Sequence, residues 1–336
     1  MRLSMLDQAP VVAGQSPADA LWASSRLAQA GERLGYERYW LAEHHGLGGL
    51  ACTTPEVMLG MIGARTSRIR LGAGAILLPY YKPYKVAETF RLLAALYPGR
   101  IDLGVARSPG GPAEMSMALS ANYLERALRM PGDFAELIRY LDGEEPAIPG
   151  ADTAARKTAA AEAPGDGPVP WVLGTSVKSA SLAAAHGTGY AYGYFMNREN
   201  AQDAIVAYRE GFDRTRGGEP YVVLAVSAIC ADTQAKAEEI AHGVHAWSML
   251  AGQGKGMAGI PGTEEAMRLL GAQDSDQFRI FAEERAMAVG DPAKVRKTLV
   301  ELSDQFAADE LMIVSYAHDF NDRIRSYELI MEACSG

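Results

Sequence analysis

The chain of 336 residues contains few cysteines: Cys52, Cys230 and Cys334 stand alone, without the short spacing of a zinc site or a redox pair. A disulfide framework is therefore not indicated, and the reducing cytoplasm is the expected location. The sequence also lacks an apolar run of about 18 residues and a basic segment followed by an apolar signal core. We therefore expect a protein that neither spans a membrane nor is exported.

Positive charge is also scarce. The chain has 32 Lys and Arg residues against 41 Asp and Glu residues, which gives a net charge of −9 without any basic block. This balance argues against a nucleic-acid or anionic-membrane surface and leaves small molecules as the expected partners. A hydrophobic content of 48% is enough for a large core, in one large α/β barrel or in two ordinary domains.

Apolar runs alternate with amphipathic segments along the chain, which is typical of βα repeats. The pattern predicts strands at 3–7, 38–42, 69–77, 101–106, 170–174, 189–195, 221–230 and 309–315. Helices are predicted at 17–35, 55–66, 84–96, 121–141, 177–186, 200–215, 232–251, 291–305 and 320–333. Eight strands without a composition break favour one domain over residues 1–336, a closed (β/α)8 TIM barrel, over an open doubly wound sheet.

Two segments are longer than the repeat requires. Residues 143–168 are rich in Ala, Pro and Gly, and they predict a flexible surface excursion. Residues 252–290 form the longest insertion, between strand 7 and strand 8. Because that insertion lies on the face where barrel enzymes carry their chemistry, its glycines are candidate hinges of a lid. The alternative is a flexible decoration without a role.

Polar residues follow the first strands, and the C-terminal ends of barrel strands surround one active site. Asp7 and Gln8 follow strand 1, and Glu43-His44-His45 follows strand 2. Imidazoles beside a carboxylate suit acid/base chemistry, although a histidine pair can also be a polar cap of a strand. After strand 3, Gly72-Ala73-Gly74-Ala75 offers either a backbone that a flat ligand can approach or tight barrel packing.

Residues after strands 4 and 5 predict a phosphate site. Arg107 follows strand 4 and suits a phosphate, unless it pairs with a barrel carboxylate. After strand 5, Gly174-Thr175-Ser176-Val177-Lys178-Ser179 leads into a helix N-terminus, whose free N–H groups and positive dipole end favour an anion. An ordinary N-cap explains one hydroxyl, but not three within five residues.

Other motifs do not fit a known site. Gly72-Ala73-Gly74 lacks the third glycine of a dinucleotide fingerprint, because position 77 is Leu. Gly254-Lys255-Gly256 lacks the hydroxyl residue of a P-loop. His242 and His245 lie three residues apart on a predicted helix, but no HExxH motif or cysteine accompanies them, so no metal site is predicted.

Several runs resemble those of the bacterial luciferase-like, flavin-dependent monooxygenases. They are residues 3–8, 42–45, 64–72, 98–104, 173–176 and 289–295, in the order and spacing of that family. The resemblance covers nearly the whole chain, and the opening and the histidine pair are most similar to a subgroup that includes natural-product-tailoring enzymes. Residues 46–51 depart from the pattern, because this glycine-rich loop lacks the longer aromatic side chains of some relatives.

The resemblance implies a barrel that binds FMN. Its phosphate would be held by Arg107, Thr175, Ser176, Val177 and Ser179, with Gly174 at the strand exit. A nonprolyl cis peptide would lie beside the cofactor, around Gly74-Ala75. The catalytic histidine would be His44, with His45 beside it, and either Glu43 or His45 would orient its ring.

The implied reaction takes reduced FMN from a separate flavin reductase and reacts it with O2 to form a flavin C4a-hydroperoxide. One oxygen atom is then transferred to a small organic substrate, and the flavin carries out this chemistry. A homodimer, common in the family, is implied as well. Two alternatives stay open: a deazaflavin- or nicotinamide-linked hydride-transfer oxidoreductase on the same barrel, and a non-catalytic flavin-binding protein.

Overall fold

A computed structural model describes residues 1–144, 146, 166–252, 259–271 and 287–335. The strands in this part of the chain are β1 (Leu3–Asp7), β2 (Arg38–Leu41), β3 (Arg70–Leu77), β4 (Ile101–Ala106), β5 (Val169–Gly174), β6 (Gly189–Gly193), β7 (Val222–Cys230), β8 (Ala288–Gly290) and β9 (Glu310–Val314). The helices are α1 (Pro17–Leu34), α2 (Pro55–Gly63), α3 (Pro83–Leu96), α4 (Ala113–Leu119), α5 (Tyr123–Leu141), α6 (Val177–Ala185), α7 (Ala201–Glu210), α8 (Gln234–Gly252), α9 (Thr263–Leu270), α10 (Pro292–Phe306) and α11 (Phe320–Cys334). Single 3-10 turns lie at Leu78–Tyr80 and Arg214–Arg216.

Eight strands close into a parallel barrel in the order β1-β2-β3-β4-β5-β6-β7-β9. The ring closes where Leu3 on β1 lies opposite Leu311 on β9. The predicted (β/α)8 TIM barrel is therefore confirmed. The sequence missed β8, which pairs with the last three residues of β7, from Ala228 to Cys230, and takes no part in the barrel.

The barrel strands are apolar because helices cover their outer face and side chains fill the interior. All nine residues of β7 are buried. Inside the barrel, Leu6, Trp40, Trp171, Ala225 and Met312 belong to one packed cluster. The interior is therefore a core and not a pore, and ligands are confined to the two ends of the barrel.

A buried ion network fills the N-terminal end of the barrel. The Arg38 guanidinium lies 2.9 Å from a carboxylate oxygen of Asp102 and 2.8 Å from one of Glu310. Trp40 donates its indole N–H to Asp102 at 3.0 Å and passes over Gly72, where an added Cβ would lie 2.5 Å from Trp40 Nε1. The absence of a side chain at Gly72 is thus explained by packing at the floor of the barrel.

The runs 64–72 and 98–104, which carry much of the family resemblance, meet at this same end. Arg100 donates to the carbonyl oxygens of Thr66 and Ile69, at 3.0 and 3.1 Å. The Glu32 carboxylate on α1 accepts the backbone N–H groups of Ser67, Arg68 and Ile69 at 2.6–3.0 Å. Both runs therefore stabilise the barrel at the end opposite to its C-terminal mouth.

Other boundaries differ from the sequence expectation in detail. The helix predicted at 121–141 begins at Tyr123 and is preceded by the separate helix α4, while the helix predicted at 200–215 ends at Glu210. Most of the expected surface excursion at 143–168, and residues 253–258 and 272–286 of the expected lid, lie outside the described residues. Within the described part of the chain, no helix has the length and apolarity needed to cross a membrane.

The described part of the expected lid contacts the mouth of the barrel. Ile260 exchanges two backbone hydrogen bonds with the loop after β1: its N–H donates to Val11 at 2.9 Å, and its carbonyl accepts from Ala13 at 2.9 Å. His318 Nδ1 lies 2.9 Å from the same Ile260 carbonyl. This segment is therefore fixed to the barrel, and whether the insertion acts as a lid stays a prediction.

Candidate active site

A cavity of about 880 Å³ opens at the C-terminal mouth of the barrel. Most residues that the sequence predicted for the site line it. They are Glu43, His44, Gly74, Ala75, Arg107, Gly174, Thr175, Ser176, Val177 and Ser179. His45 lies outside the lining, although it belongs to the same loop. Four neighbouring strands, β2 to β5, thus bring chemistry-bearing groups together, as expected for the mouth of a barrel.

The loop after β2 is held in place through its backbone. The N–H of His44 donates to the Cys52 carbonyl at 2.9 Å, and the N–H of His45 donates to the Gly110 carbonyl at 2.9 Å. At Gly111, an added Cβ would lie 2.0 Å from the His45 carbonyl oxygen. The glycines after β4 therefore let the loops after β2 and β4 pack directly against each other.

The His44 imidazole faces the cavity without a fixed partner. Its Nδ1 is buried and has no hydrogen bond to any residue that the structure describes. Burial, with a smaller effect from the neighbouring His45, lowers the pKa of His44 to about 4. The ring is therefore uncharged at neutral pH and is able to exchange a hydrogen bond or a proton with a ligand.

Glu43 hydrogen-bonds to His45, to the end of β3 and to the loop after it, and makes no hydrogen bond to His44. Glu43 Oε1 accepts from the Tyr81 hydroxyl at 2.8 Å and lies 2.7 Å from His45 Nε2. Glu43 Oε2 accepts the backbone N–H of Leu77 at 2.9 Å. Burial raises the pKa of Glu43 although these three bonds oppose the shift. The carboxylate thus positions the loops around His44, and the expectation that Glu43 or His45 orients the His44 ring stays a prediction.

The glycines expected after β3 lie inside that strand. The peptide bond between Gly74 and Ala75 is cis, at the position that the family resemblance implied. Both residues line the cavity, whereas Gly72 packs at the barrel floor. A Cβ at Gly74 would approach Leu6 Cδ1 to 2.8 Å. Each of the two interpretations of the run 72–75 therefore holds for part of it. Gly72 is required for tight packing in the barrel, whereas Gly74 and Ala75 leave backbone accessible beside the cavity.

The segment after β5 forms a helix N-terminus at the cavity wall. Ser176 Oγ accepts the Ser179 N–H at 3.3 Å, and Ser179 Oγ accepts the Ser176 N–H at 3.3 Å, which is a capping box. An ordinary cap thus accounts for two of the three hydroxyls. The first amides of α6, those of Val177 and Lys178, have no intrahelical acceptor and remain for an anion.

Close packing explains the glycine that ends β5. A Cβ at Gly174 would lie 2.3 Å from Ser179 Oγ. The strand can therefore pass directly beneath the first turn of α6 only because Gly174 has no side chain. This close approach keeps the helix N-terminus at the rim of the cavity.

Arg107 extends from the end of β4 towards the same side of the cavity. Its side chain is exposed and makes no ion pair with any carboxylate in the described ranges. The alternative that Arg107 pairs with a barrel carboxylate is therefore not observed. A guanidinium without a protein partner, near a helix N-terminus, is suited to bind a phosphate.

Some residues that line the cavity were not predicted from the sequence. Among them are the apolar side chains of Met130 on α5 and of Phe195 and Met196 after β6. Tyr123 donates its hydroxyl to the Arg107 carbonyl at 2.7 Å and fixes the strand end. The sequence signal for them was weak, because apolar side chains on a predicted helix are as consistent with the core as with a cavity wall.

No cluster of three His, Cys, Asp or Glu side chains with metal-binding geometry occurs among the residues described. His242 and His245 lie on α8, and burial lowers the pKa of each imidazole. The three cysteines are free and buried. The groups available for chemistry in the cavity are therefore the His44 imidazole, the Glu43 carboxyl, the Gln8 carboxamide, the exposed cations of Arg107 and Lys178, hydroxyls and backbone amides.

Comparisons with known proteins identify the family. A sequence model of the luciferase-like monooxygenases matches residues 1–309. The chain is 41% identical to the uncharacterized protein YwcH of Bacillus subtilis, over 98% of both chains, and 33% identical to a luciferase-like monooxygenase of Escherichia coli K12, over 98% of this chain and 96% of that protein. Among solved structures, apo-MsnO8 is 37% identical and superposes with a TM-score of 0.88, over 99% of this chain and 97% of MsnO8.

Proposed function

We propose that this chain, which belongs to the luciferase-like monooxygenase family and is a flavin-dependent monooxygenase, uses reduced FMN and O2 to oxygenate a small organic substrate. The main support for FMN as the cofactor is the anion site at the rim of the cavity. A flavin that ends in a phosphate fits the α6 N-terminus and the uncommitted Arg107 together. Reduced FMN supplies the electrons with which O2 is activated.

The residues around the cavity fit this cofactor. Arg107, Thr175 and the amides of Val177 and Lys178 would hold the phosphate, while Ser176 and Ser179 keep the helix terminus in place. Gly74 and Ala75 present backbone without bulky side chains to a flat ring. The Nδ1 atom of His44 is buried and has no hydrogen bond in the described residues, which supports a polar contact from His44 to the ring end of the ligand.

His44 is the proposed acid/base group. Its low pKa keeps the imidazole neutral, because burial disfavours the charged form. An anionic ligand beside the ring would raise that pKa, since an opposite charge stabilises the imidazolium. His44 would then accept a proton at Nδ1 and return it at the same atom. His45 and Glu43 would act indirectly, by holding the loop that carries His44.

A separate flavin reductase remains part of the proposal. Gly72 and Gly74 lie inside β3 and form no dinucleotide-binding turn between a strand and a helix, so this run does not offer a nicotinamide site that would replace a reductase. A homodimer is proposed on the exposed apolar side chains of Val57 on α2 and of Leu92 and Leu96 on α3. The cytoplasmic location is proposed on the three free, buried thiols.

A flavin titration with the Arg107→Ala variant tests the function. Loss of a charge-assisted hydrogen bond is expected to cost about 1.5–3 kcal/mol, which weakens FMN binding roughly 10- to 150-fold. Riboflavin lacks the phosphate, so its affinity is expected to stay unchanged. Quenching of flavin fluorescence measures both dissociation constants.

The matched control is Arg33→Ala, which removes an exposed arginine on α1, away from the cavity. It is expected to bind FMN as the wild type does. An unaltered FMN affinity in Arg107→Ala, or an equal loss for riboflavin, would reject the phosphate site. Tighter binding of a deazaflavin cofactor than of FMN would contradict the choice of cofactor.

A further inference from the structure

Gln8 lies in the cavity at the side opposite to the anion site. It follows β1 directly and lines the cavity. In the eight-stranded ring β1 and β5 are four strands apart, which places them across the barrel from each other. A ligand whose phosphate is held after β5 therefore has Gln8 at the far end of the cavity.

The wall around Gln8 is apolar and carries no free charge. The other lining residues that β1, β7 and β9 provide are Leu6, Ala225 and Met312. Asp7, next to Gln8 in the chain, is buried in an ion pair with Arg323, and the titratable lining groups of the neighbouring strand come from the loop after β2. There the Glu43 carboxylate accepts three hydrogen bonds, and burial keeps His44 uncharged at neutral pH. Among the described lining residues that β1, β7 and β9 or the position directly after β1 provide, the Gln8 carboxamide is thus the polar group.

The orientation of the Gln8 carboxamide is fixed by a residue 308 positions away in the sequence. The Tyr316 hydroxyl donates a hydrogen bond to Gln8 Oε1. Tyr316 itself is buried and packs edge-to-face on Trp247, with ring centroids 5.6 Å apart. Because Oε1 is turned to Tyr316, the Gln8 Nε2 group presents its N–H donors elsewhere, and no described residue accepts from them.

We propose that the β1 side of the cavity is a subsite for an uncharged, apolar group that carries one acceptor oxygen, to which Gln8 Nε2 donates a hydrogen bond. An amide N–H in apolar surroundings costs free energy unless it is bonded, so the subsite discriminates in favour of such an oxygen. Tyr316 is the positioning residue. The inference rests on the proposed function for the presence of a flavin at the other end. The oxygen belongs either to the organic substrate or to a carbonyl of the flavin ring.

The test uses two ligands of nearly equal shape, acetophenone and α-methylstyrene, of which only the first has an acceptor oxygen. Their dissociation constants are measured by calorimetry on the protein with FMN bound and on the protein alone. FMN and riboflavin affinities are measured in parallel. The variants are Gln8→Leu and Tyr316→Phe, and the matched control is Gln202→Leu, which makes the same change at an exposed position of α7.

We expect Gln8→Leu to weaken one class of ligand about 3- to 10-fold, the loss that follows from one neutral hydrogen bond. A loss confined to acetophenone assigns the oxygen to the substrate, whereas an equal loss for FMN and riboflavin assigns it to the flavin ring. Tyr316→Phe is expected to weaken the same ligand to a smaller extent, and Gln202→Leu to change nothing. A purely structural role of Gln8 would not separate two ligands of the same shape.

The proposal is overturned if Gln8→Leu, folded as judged by circular dichroism, leaves acetophenone, FMN and riboflavin affinities unchanged. If Gln8→Leu does not fold, the same comparison made with Tyr316→Phe decides the matter. A wild-type protein that does not bind FMN would instead reject the proposed function. The preference for acetophenone over α-methylstyrene would still be measured on the protein alone.

Discussion

Acid is expected to destabilise this protein through His44. Its pKa is about 4 in the folded chain and about 6.5 when exposed, because burial disfavours the imidazolium. The unfolded chain therefore takes up a proton at this position at higher pH than the folded chain. The stability contribution of neutral His44 is complete above pH 6.5 and is lost as the pH falls towards 4.

The magnitude follows from the two pKa values. Each unit of difference is worth about 1.4 kcal/mol, so the complete loss is about 3 kcal/mol, of which about 2 kcal/mol is lost by pH 5. A His44→Gln variant has no proton to take up at this position. Its free energy of unfolding is expected to fall about 2 kcal/mol less between pH 7.5 and pH 5 than that of the wild type.

Urea unfolding of both proteins at pH 7.5 and pH 5 measures this difference. Carbon-13 NMR of labelled histidine follows the same group directly, because the chain has six histidines and His44→Gln removes one resonance. Parallel pH profiles of the two proteins, together with a His44 resonance that titrates near 6.5, would refute the reasoning. The His318→Gln variant is the control and is expected to retain the His44 resonance with its midpoint near 4.

Two further predictions concern the N-terminal end of the barrel. Arg38→Met leaves the carboxylates of Glu310 and Asp102 buried without Arg38 as a partner. It is expected to lower the free energy of unfolding by about 3–5 kcal/mol, as measured by urea unfolding. A smaller loss than in the surface control Arg268→Met would contradict this prediction. Partial burial raises the pKa of Glu32, but the hydrogen bonds that its carboxylate accepts from backbone N–H groups outweigh this effect and lower the pKa to about 2. Glu32→Gln is therefore expected to cost about 1–2 kcal/mol at pH 7. That difference should shrink as the pH falls from 4.5 towards 2, and a difference independent of pH would exclude the charge as its cause.

The order of strands and helices could be predicted because it depends on local periodicity. β7 is an apolar run with Ser227 as its one polar residue, and α1 is amphipathic, so both can be recognised without knowledge of the rest of the fold. β8 could not be found in this way. It has three residues, and it exists only because the end of β7 offers it a partner.

The candidate site was predictable to the extent that topology decides it. Strand ends of a barrel meet at one mouth, which is why the sequence alone is enough to group His44, Arg107 and Gly174. Hydrogen-bond partners could not be predicted, since the bond between Tyr316 and Gln8 joins opposite ends of the chain. The same holds for Glu43, two of whose partners, Leu77 and Tyr81, come from the end of β3 and the loop after it.

The family motifs divide between the two ends of the barrel: the runs 42–45 and 173–176 contribute to the cavity, whereas the runs 64–72 and 98–104 lie at the floor. Arg100, with its carbonyl partners at Thr66 and Ile69, belongs to the strongest motifs and lies at the floor. These motifs therefore report the fold more directly than they report the substrate. Substrate choice is expected to depend on residues such as Phe195 and Met196, which the family motifs do not include.

The pairing of β8 with the end of β7 has a consequence for how this protein can change during evolution. The segment from Ala231 to Gly290, which includes β8, leaves the barrel after β7 and returns beside it, and the Gly290 carbonyl accepts the N–H of Ala231 at 3.2 Å. Its two ends are thus held at the separation of neighbouring strands, roughly 5 Å. Doubling the length of a segment closed in this way costs only about 0.6 kcal/mol. Insertions and deletions there can be tolerated without displacing a barrel strand, so new substrate preferences can arise beside the mouth while the barrel is inherited unchanged.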